Sequence, residues 1–142
     1  MNSKIRLMIF ALIVLSGAGC SFCQSKIVST ETSTRNEFLE VIHPRPYRPI
    51  TSPVKVSGKS NFNEANTRIR VRDNNGTVLS DTFTTAEGWL NRLYPFSKDV
   101  YYDKPSSREG VVEVFEESAE DGSEIRKITI PVEFSDFRNG DK

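Results

Sequence analysis

The residues of this chain whose types could do chemistry are two cysteines, one histidine and a short run of regularly spaced arginines. Cys20 and Cys23 stand at the Cys-x-x-Cys spacing of redox and zinc sites, in which a thiolate is the nucleophile or the ligand. A zinc site needs a second pair or histidines, and a redox pair needs a helix that lowers the thiol pKa. Neither accompanies these cysteines. His43 sits beside Pro44 without a serine or acidic motif, and a lone imidazole cannot assemble a nucleophile, a base and an orienting group. No calcium-loop spacing of oxygen ligands occurs. The expectation is a protein that is not an enzyme, with no metal and no cofactor.

Acylation is the chemistry that Cys20 does suit. Lys4 and Arg6 precede an apolar run from Leu7 to Leu15, and Ser16-Gly17-Ala18-Gly19 follows. Charged, apolar and small-residue parts in that order make residues 1–19 a signal peptide. The apolar run is too short for a spanning helix, which needs roughly 20 residues. Small residues directly before Cys20 resemble a bacterial lipobox, in which the thiol is acylated and the chain is cut before it. Gly17 stands where the lipobox prefers leucine, and plain secretion is the outcome if the lipobox is not used. An acylated Cys20 leaves Cys23 as an unpaired thiol, and no internal disulfide frames the domain. The lipid would make the membrane one partner of the chain.

Two groups of side chains are candidates for binding. Arg68, Arg70 and Arg72 alternate with Thr67, Ile69 and Val71, so the arginines share one face of a half-buried strand. They would form a cationic ridge for an anionic glycan, a teichoic acid, a lipid headgroup or an acidic protein patch. The other reading is a solvated face whose cross-strand partners are Glu113, Glu116 and Glu117. Trp89, Tyr94, Phe96, Tyr101 and Tyr102 gather around an irregular stretch. They make either a sugar-stacking platform, with Trp89 and Tyr94 foremost, or the closed end of a core.

The elements that must position these groups have a period of two. The chain has 142 residues, with Lys plus Arg equal to Asp plus Glu at 19 each, which suits one domain and argues against nucleic-acid binding. Residues 20–36 read as a flexible tether and 135–142 as a disordered tail, leaving 37–134 for the domain. Phe38 to His43 starts as a strand. Pro44, Pro46, Pro49 and Pro53 then forbid a continuing ladder and hold an extended crossing. Val54 and Val56, Thr67 to Val71, Thr77 to Thr84, Val100 to Tyr102, Val111 to Phe115, and Ile128 to Phe134 complete the strand signals. Asp73-Asn74-Asn75-Gly76 and Asp121-Gly122 are turns. Ala86 to Pro95 is left as a helical turn or open loop. Pro131 argues for an edge or a bulge in the last strand. The fold class is all-β, an antiparallel two-sheet sandwich of about seven strands.

Pro53-Val54-Lys55-Val56-Ser57-Gly58, Phe62-Asn63-Glu64-Ala65-Asn66 and Ile69-Arg70-Val71-Arg72-Asp73-Asn74-Asn75-Gly76 resemble the immunoglobulin-like domain of bacterial spore germination proteins. Pro95-Phe96-Ser97, Val112 to Ala119, Asp121-Gly122-Ser123 and Ile130-Pro131-Val132 follow in that family's order. The resemblance covers Phe38 to Phe134. It implies an immunoglobulin-like sandwich in an exported or lipid-anchored bacterial protein, and it brings no catalytic residues. The expectation is therefore a non-catalytic, lipid-anchored extracytoplasmic module that binds or positions an envelope protein, with a setting related to sporulation or germination. The alternative is a module that binds carbohydrate or an anionic cell-wall polymer. Its location would be the cell membrane or the outer membrane.

Overall fold

Alternating apolar residues make a sheet when a second sheet can cover their dry face, and this chain supplies both sheets. The computed structural model describes residues 32–138. The segment read as a signal peptide, Cys20 and Cys23 lie outside the described residues. The strands are β1 (Leu39–His43), β2 (Arg48–Ile50), β3 (Val54–Ser60), β4 (Asn66–Asp73), β5 (Val78–Thr85), β6 (Tyr94–Val100), β7 (Glu109–Glu117) and β8 (Glu124–Phe134). They form a small sheet in the order β1-β3-β6 and a large one in the order β2-β8-β7-β4-β5. Pairing is antiparallel except between β2 and β8. One short 3₁₀ turn, Asn63–Ala65, joins β3 to β4.

The dry faces meet as the alternation requires. Leu39, Val41, Val54, Val56, Phe96 and Val100 of the small sheet face Ile69, Val71, Val112, Val114, Ile130 and Val132 of the large one, all buried. Phe62, fully buried, fills the end at the 3₁₀ turn. Ser60 and Thr67 bridge the sheets through a 2.9 Å hydroxyl pair that satisfies both groups inside the core. At the β4–β5 turn Asp73 is buried and accepts N–H groups from Asn75, Thr77 and Ser106. Burial pushes its carboxyl up, but the Ser106 hydroxyl and those N–H groups prevail and hold it below its ordinary value.

Several expected boundaries move. The proline-rich crossing contains a short strand, β2, whose parallel pairing with Val132 to Phe134 carries the chain from the small sheet to the large one. Pro131 lies within β8, which is not an edge strand. Its carbonyl accepts the Tyr47 N–H on the β2 side, so the missing proline N–H also points away from β7 and costs that ladder nothing. The strand expected at Val100 to Tyr102 is instead β6, running from Tyr94 to Val100. Pro95, Ser97 and Asp99 hid it by filling its wet face. The chain also stays packed beyond both expected limits. Ser135 donates to Ile50 O, and Phe137 packs against the core. Thr34 accepts from Val41 N, and Asn36 Oδ1 caps the N–H groups of Phe38 and Leu39.

One irregularity ties the sheets together. Between Val114 and Glu116 of β7, β8 advances from Ile128 to Ile125 and so carries an extra residue. Arg126 takes up that excess with a φ of 54°, a β-bulge of the kind that re-aims a side chain. Its guanidinium pairs with the buried Glu116 carboxylate and lies 4.0 Å from the centroid of the Phe38 ring. Its carbonyl accepts from Asn36 Nδ2. The bulge thus holds the segment leading into β1 against the large sheet.

Gly58 marks the tightest backbone approach in the small sheet. A Cβ there would stand 2.0 Å from Glu40 O, a backbone atom that cannot swing aside. Gly58→Ala is expected to destabilise the protein by at least about 1–3 kcal/mol, the usual cost of overpacking. A thermal melt checks this, with Lys59→Ala on the wet face as the control. Equal melting temperatures for both variants would refute the close approach.

Candidate functional site

The arginine ridge forms as its spacing predicts, but it is not a ridge of free positive charge. Cross-strand register places Arg70 between Asp81 of β5 and Glu113 of β7. Arg70 pairs with Asp81 at 2.9 Å, with Glu113 at 3.6 Å and closely with Glu124. Arg68 pairs with Asp81 at 2.7 Å and Glu117 at 3.4 Å, and Arg72 reaches Glu113 at 3.6 Å. Lys127 joins Glu113 and Glu124. Arg68, Arg70, Arg72 and Lys127 therefore balance Asp81, Glu113, Glu117 and Glu124. Of the expected partners, Glu113 and Glu117 are present, whereas Glu116 pairs with Arg126. Glu116 lies an odd number of residues from Glu113, so the pleat turns it to the opposite face.

The network also has an apolar floor. Phe115 is 1 % exposed although it lies outside the inter-sheet core, because the Arg70 guanidinium covers its ring at 4.9 Å. The carboxylates answer strongly. Hydrogen bonds from Lys127 and Arg70 hold the Glu124 carboxyl down to about 2. Lys127 is correspondingly raised, chiefly by Glu124.

The aromatic group separates into unlike roles. Phe96 and Tyr102 are buried. Tyr102 lies 5.4 Å from Phe134 and donates its hydroxyl to Asp136, and burial together with that carboxylate raises the phenol well above its ordinary range. Tyr94 is half-buried: Arg92 stacks on its ring at 4.8 Å, and Gly88 lies so close that a Cβ there would stand 2.6 Å from a ring atom. Trp89 and Tyr101 are exposed. They flank opposite ends of β6, which at ~3.3 Å per residue puts roughly 20 Å of strand between them. No shared platform results from these rings.

Unpaired positive charge collects elsewhere. The crossing between β1 and β3 borders an open cleft of about 430 Å³ lined by His43, Arg45, Arg48 and Lys55 with Pro44, Pro49 and Pro53. Among the described residues, none of these basic side chains forms an ion pair with a carboxylate. A neighbouring hollow shares Arg45 and Arg48 and adds Ile42 and Glu40. His43 is exposed here, with cations for neighbours and no carboxylate bonded to it. Arg45, Arg48 and Lys55 were not among the expected site residues. For Arg45 and Arg48 the signal was the interleaving in His43-Pro44-Arg45-Pro46-Tyr47-Arg48-Pro49, where prolines keep the chain extended, whereas Lys55 lies in β3.

A family model described as the immunoglobulin-like domain of bacterial spore germination matches residues 38–123. The chain belongs to this family. The match spans more than half of the sequence, from the residue before β1 through β7, and the two-sheet architecture agrees with the family's immunoglobulin-like fold. No curated protein and no solved structure matches the chain. The family membership places the arginine network, the Gly58 approach and the cleft on one immunoglobulin-like scaffold.

The network has a pH signature. Glu124 has a lowered folded-state pKa, so its contribution is present above the ordinary glutamate value near 4.3 and is lost as pH falls toward 2. Glu124→Gln is expected to lower stability by about 1 kcal/mol at neutral pH, the scale of a half-exposed ion pair. It should also flatten the fall in melting temperature between pH 5 and pH 2. Parallel acid limbs in both proteins would show that Glu124 is not held as described.

Proposed function

We propose that this chain is a non-catalytic, lipid-anchored module of the bacterial cell envelope that binds or positions another envelope component from outside the cytoplasm. What supports the reading is the order of the sequence: basic, apolar and small residues over 1–19, then Cys20, then an immunoglobulin-like family domain from residue 38. A sandwich with a neutralised outer face suits a positioning scaffold. The family's description also suggests a setting related to sporulation or germination.

Binding of carbohydrate or an anionic wall polymer is the weaker reading. Its motives were the arginines on β4 and the aromatic pair Trp89 and Tyr94. The arginines are occupied by carboxylates, and the Arg92 guanidinium stacks on the Tyr94 ring. Those contacts would have to be broken before a polymer could use either group.

Fractionation of cells expressing wild type and Cys20→Ala tests the anchor. Wild type is expected in the membrane fraction and Cys20→Ala in the soluble extracytoplasmic fraction. Membrane retention of both to the same extent would remove the lipid anchor from the account. Cross-linked pull-down from envelopes is expected to recover an envelope protein with wild type.

A further inference from the structure

We propose that the cleft beside the β1-to-β2 crossing binds the phosphate headgroups of anionic lipids in the membrane that holds the chain. The proposal rests on the anchored reading above and gives the domain a membrane-facing side.

Charge comes first. His43, Arg45, Arg48 and Lys55 line one open cleft, and none of the three always-charged groups forms an ion pair among the described residues, although Lys55 stands opposite Asp99 in the β3–β6 register. The contrast with β4 is direct, since every arginine there has an acidic partner. Basic side chains kept apart from acids are what an anionic surface attracts, at about fivefold in binding per residue. Glu40 is the carboxylate of the adjoining hollow, and the basic residues outnumber it.

The rim supports a lipid surface over a soluble anion. Ile42, 43 % exposed, lines the adjoining hollow with Arg45 and Arg48, and Tyr47, 64 % exposed, precedes Arg48 in the chain. A tyrosine with an apolar body and a polar tip suits the boundary between headgroups and acyl chains. Chain geometry agrees. Thr32, the first described residue, lies against Tyr47 with 3.2 Å between their hydroxyl oxygens. The twelve residue steps from Cys20 to Thr32 reach at most about 40 Å when fully extended. Thr34 lines the adjoining hollow with Arg45 and Arg48, so the chain enters the domain beside these basic residues and within reach of a lipid on Cys20.

Vesicle co-sedimentation with the unacylated Cys20→Ala chain tests the cleft separately from the anchor. Vesicles containing phosphatidylglycerol should bind the protein, and pure phosphatidylcholine vesicles should bind it far less. Binding should weaken as salt rises through the range that shortens charge interactions to about 8 Å. Adding Arg45→Ser and Arg48→Ser should cut the partition coefficient roughly 25-fold, whereas Arg48→Lys should keep it. Arg92→Gln, at the opposite end of β6 from Lys55, should leave binding unchanged. Thermal melts of each variant confirm folding. Equal binding to both vesicle types, or an equal loss with Arg92→Gln, would overturn the proposal. Binding of soluble poly(glycerol phosphate) without binding of vesicles would assign the cleft to a wall polymer and also overturn it. If wild type proves soluble in cells while Cys20→Ala still binds vesicles, the anchor fails and the cleft stands.

Discussion

Everything on the β1 side of the sandwich is tied to the extra residue that β8 carries at Arg126. The bulge turns that side chain toward β1, where it meets the buried Glu116 carboxylate and the face of Phe38. Glu116 needs the pairing because a buried carboxylate without a partner is costly. It also accepts the Asn63 N–H, so the same carboxylate holds the 3₁₀ turn. Through Phe38 and Asn36 the arginine fixes where β1 begins, and β1 in turn fixes where His43 delivers the chain to the crossing. The cleft is downstream of this clamp in structure even though it precedes it in sequence.

The two sets of cations in this protein show how a sheet and a crossing treat charge differently. On β4 each arginine has a neighbouring strand on both sides, and register brings carboxylates of β5, β7 and β8 within reach. Arg70 also seals Phe115, so the outer face of the large sheet is a small salt-bridged layer over an aromatic ring. Such a layer contributes to stability and specifies register. The proline-rich crossing has no such neighbours. Its ladder is limited to the short β2, and Arg45 and Arg48 line a cleft without an ion-pair partner among the described residues, with Glu40 in the adjoining hollow. Function on this scaffold is therefore argued from the crossing and not from the strand whose composition is more basic.

Period-two patterning made the sandwich legible, because Ile69 and Val71, Val112 and Val114, and Ile130 and Val132 state their buried face without help. Turn chemistry at Asp73 to Gly76 was equally clear, since Gly76 with a φ of 87° takes the position that needs it. The face of the arginines was legible too, but their neutralisation was not, because Asp81 and Glu124 become neighbours only through strand register. β6 was hidden because its inward residues are few and Pro95 is its second residue. The bulge at Arg126 left no sequence signal, as a non-glycine residue with positive φ is specified by the pairing around it. The cleft was half-legible: the alternation of prolines with basic residues was visible, while its shape required β2 to dock on β8.

The clamp is tested most directly by amide hydrogen exchange on the full chain with Arg126→Met. Removing the guanidinium while keeping an apolar contact for Phe38 should lower protection at Leu39, Val41 and the β3 residues paired with them. Protection in β4 should be retained, because its ladders run to β5 and to β7 and do not pass through Arg126. Unchanged protection in β1, or an equal loss across β1 and β4, would contradict the account.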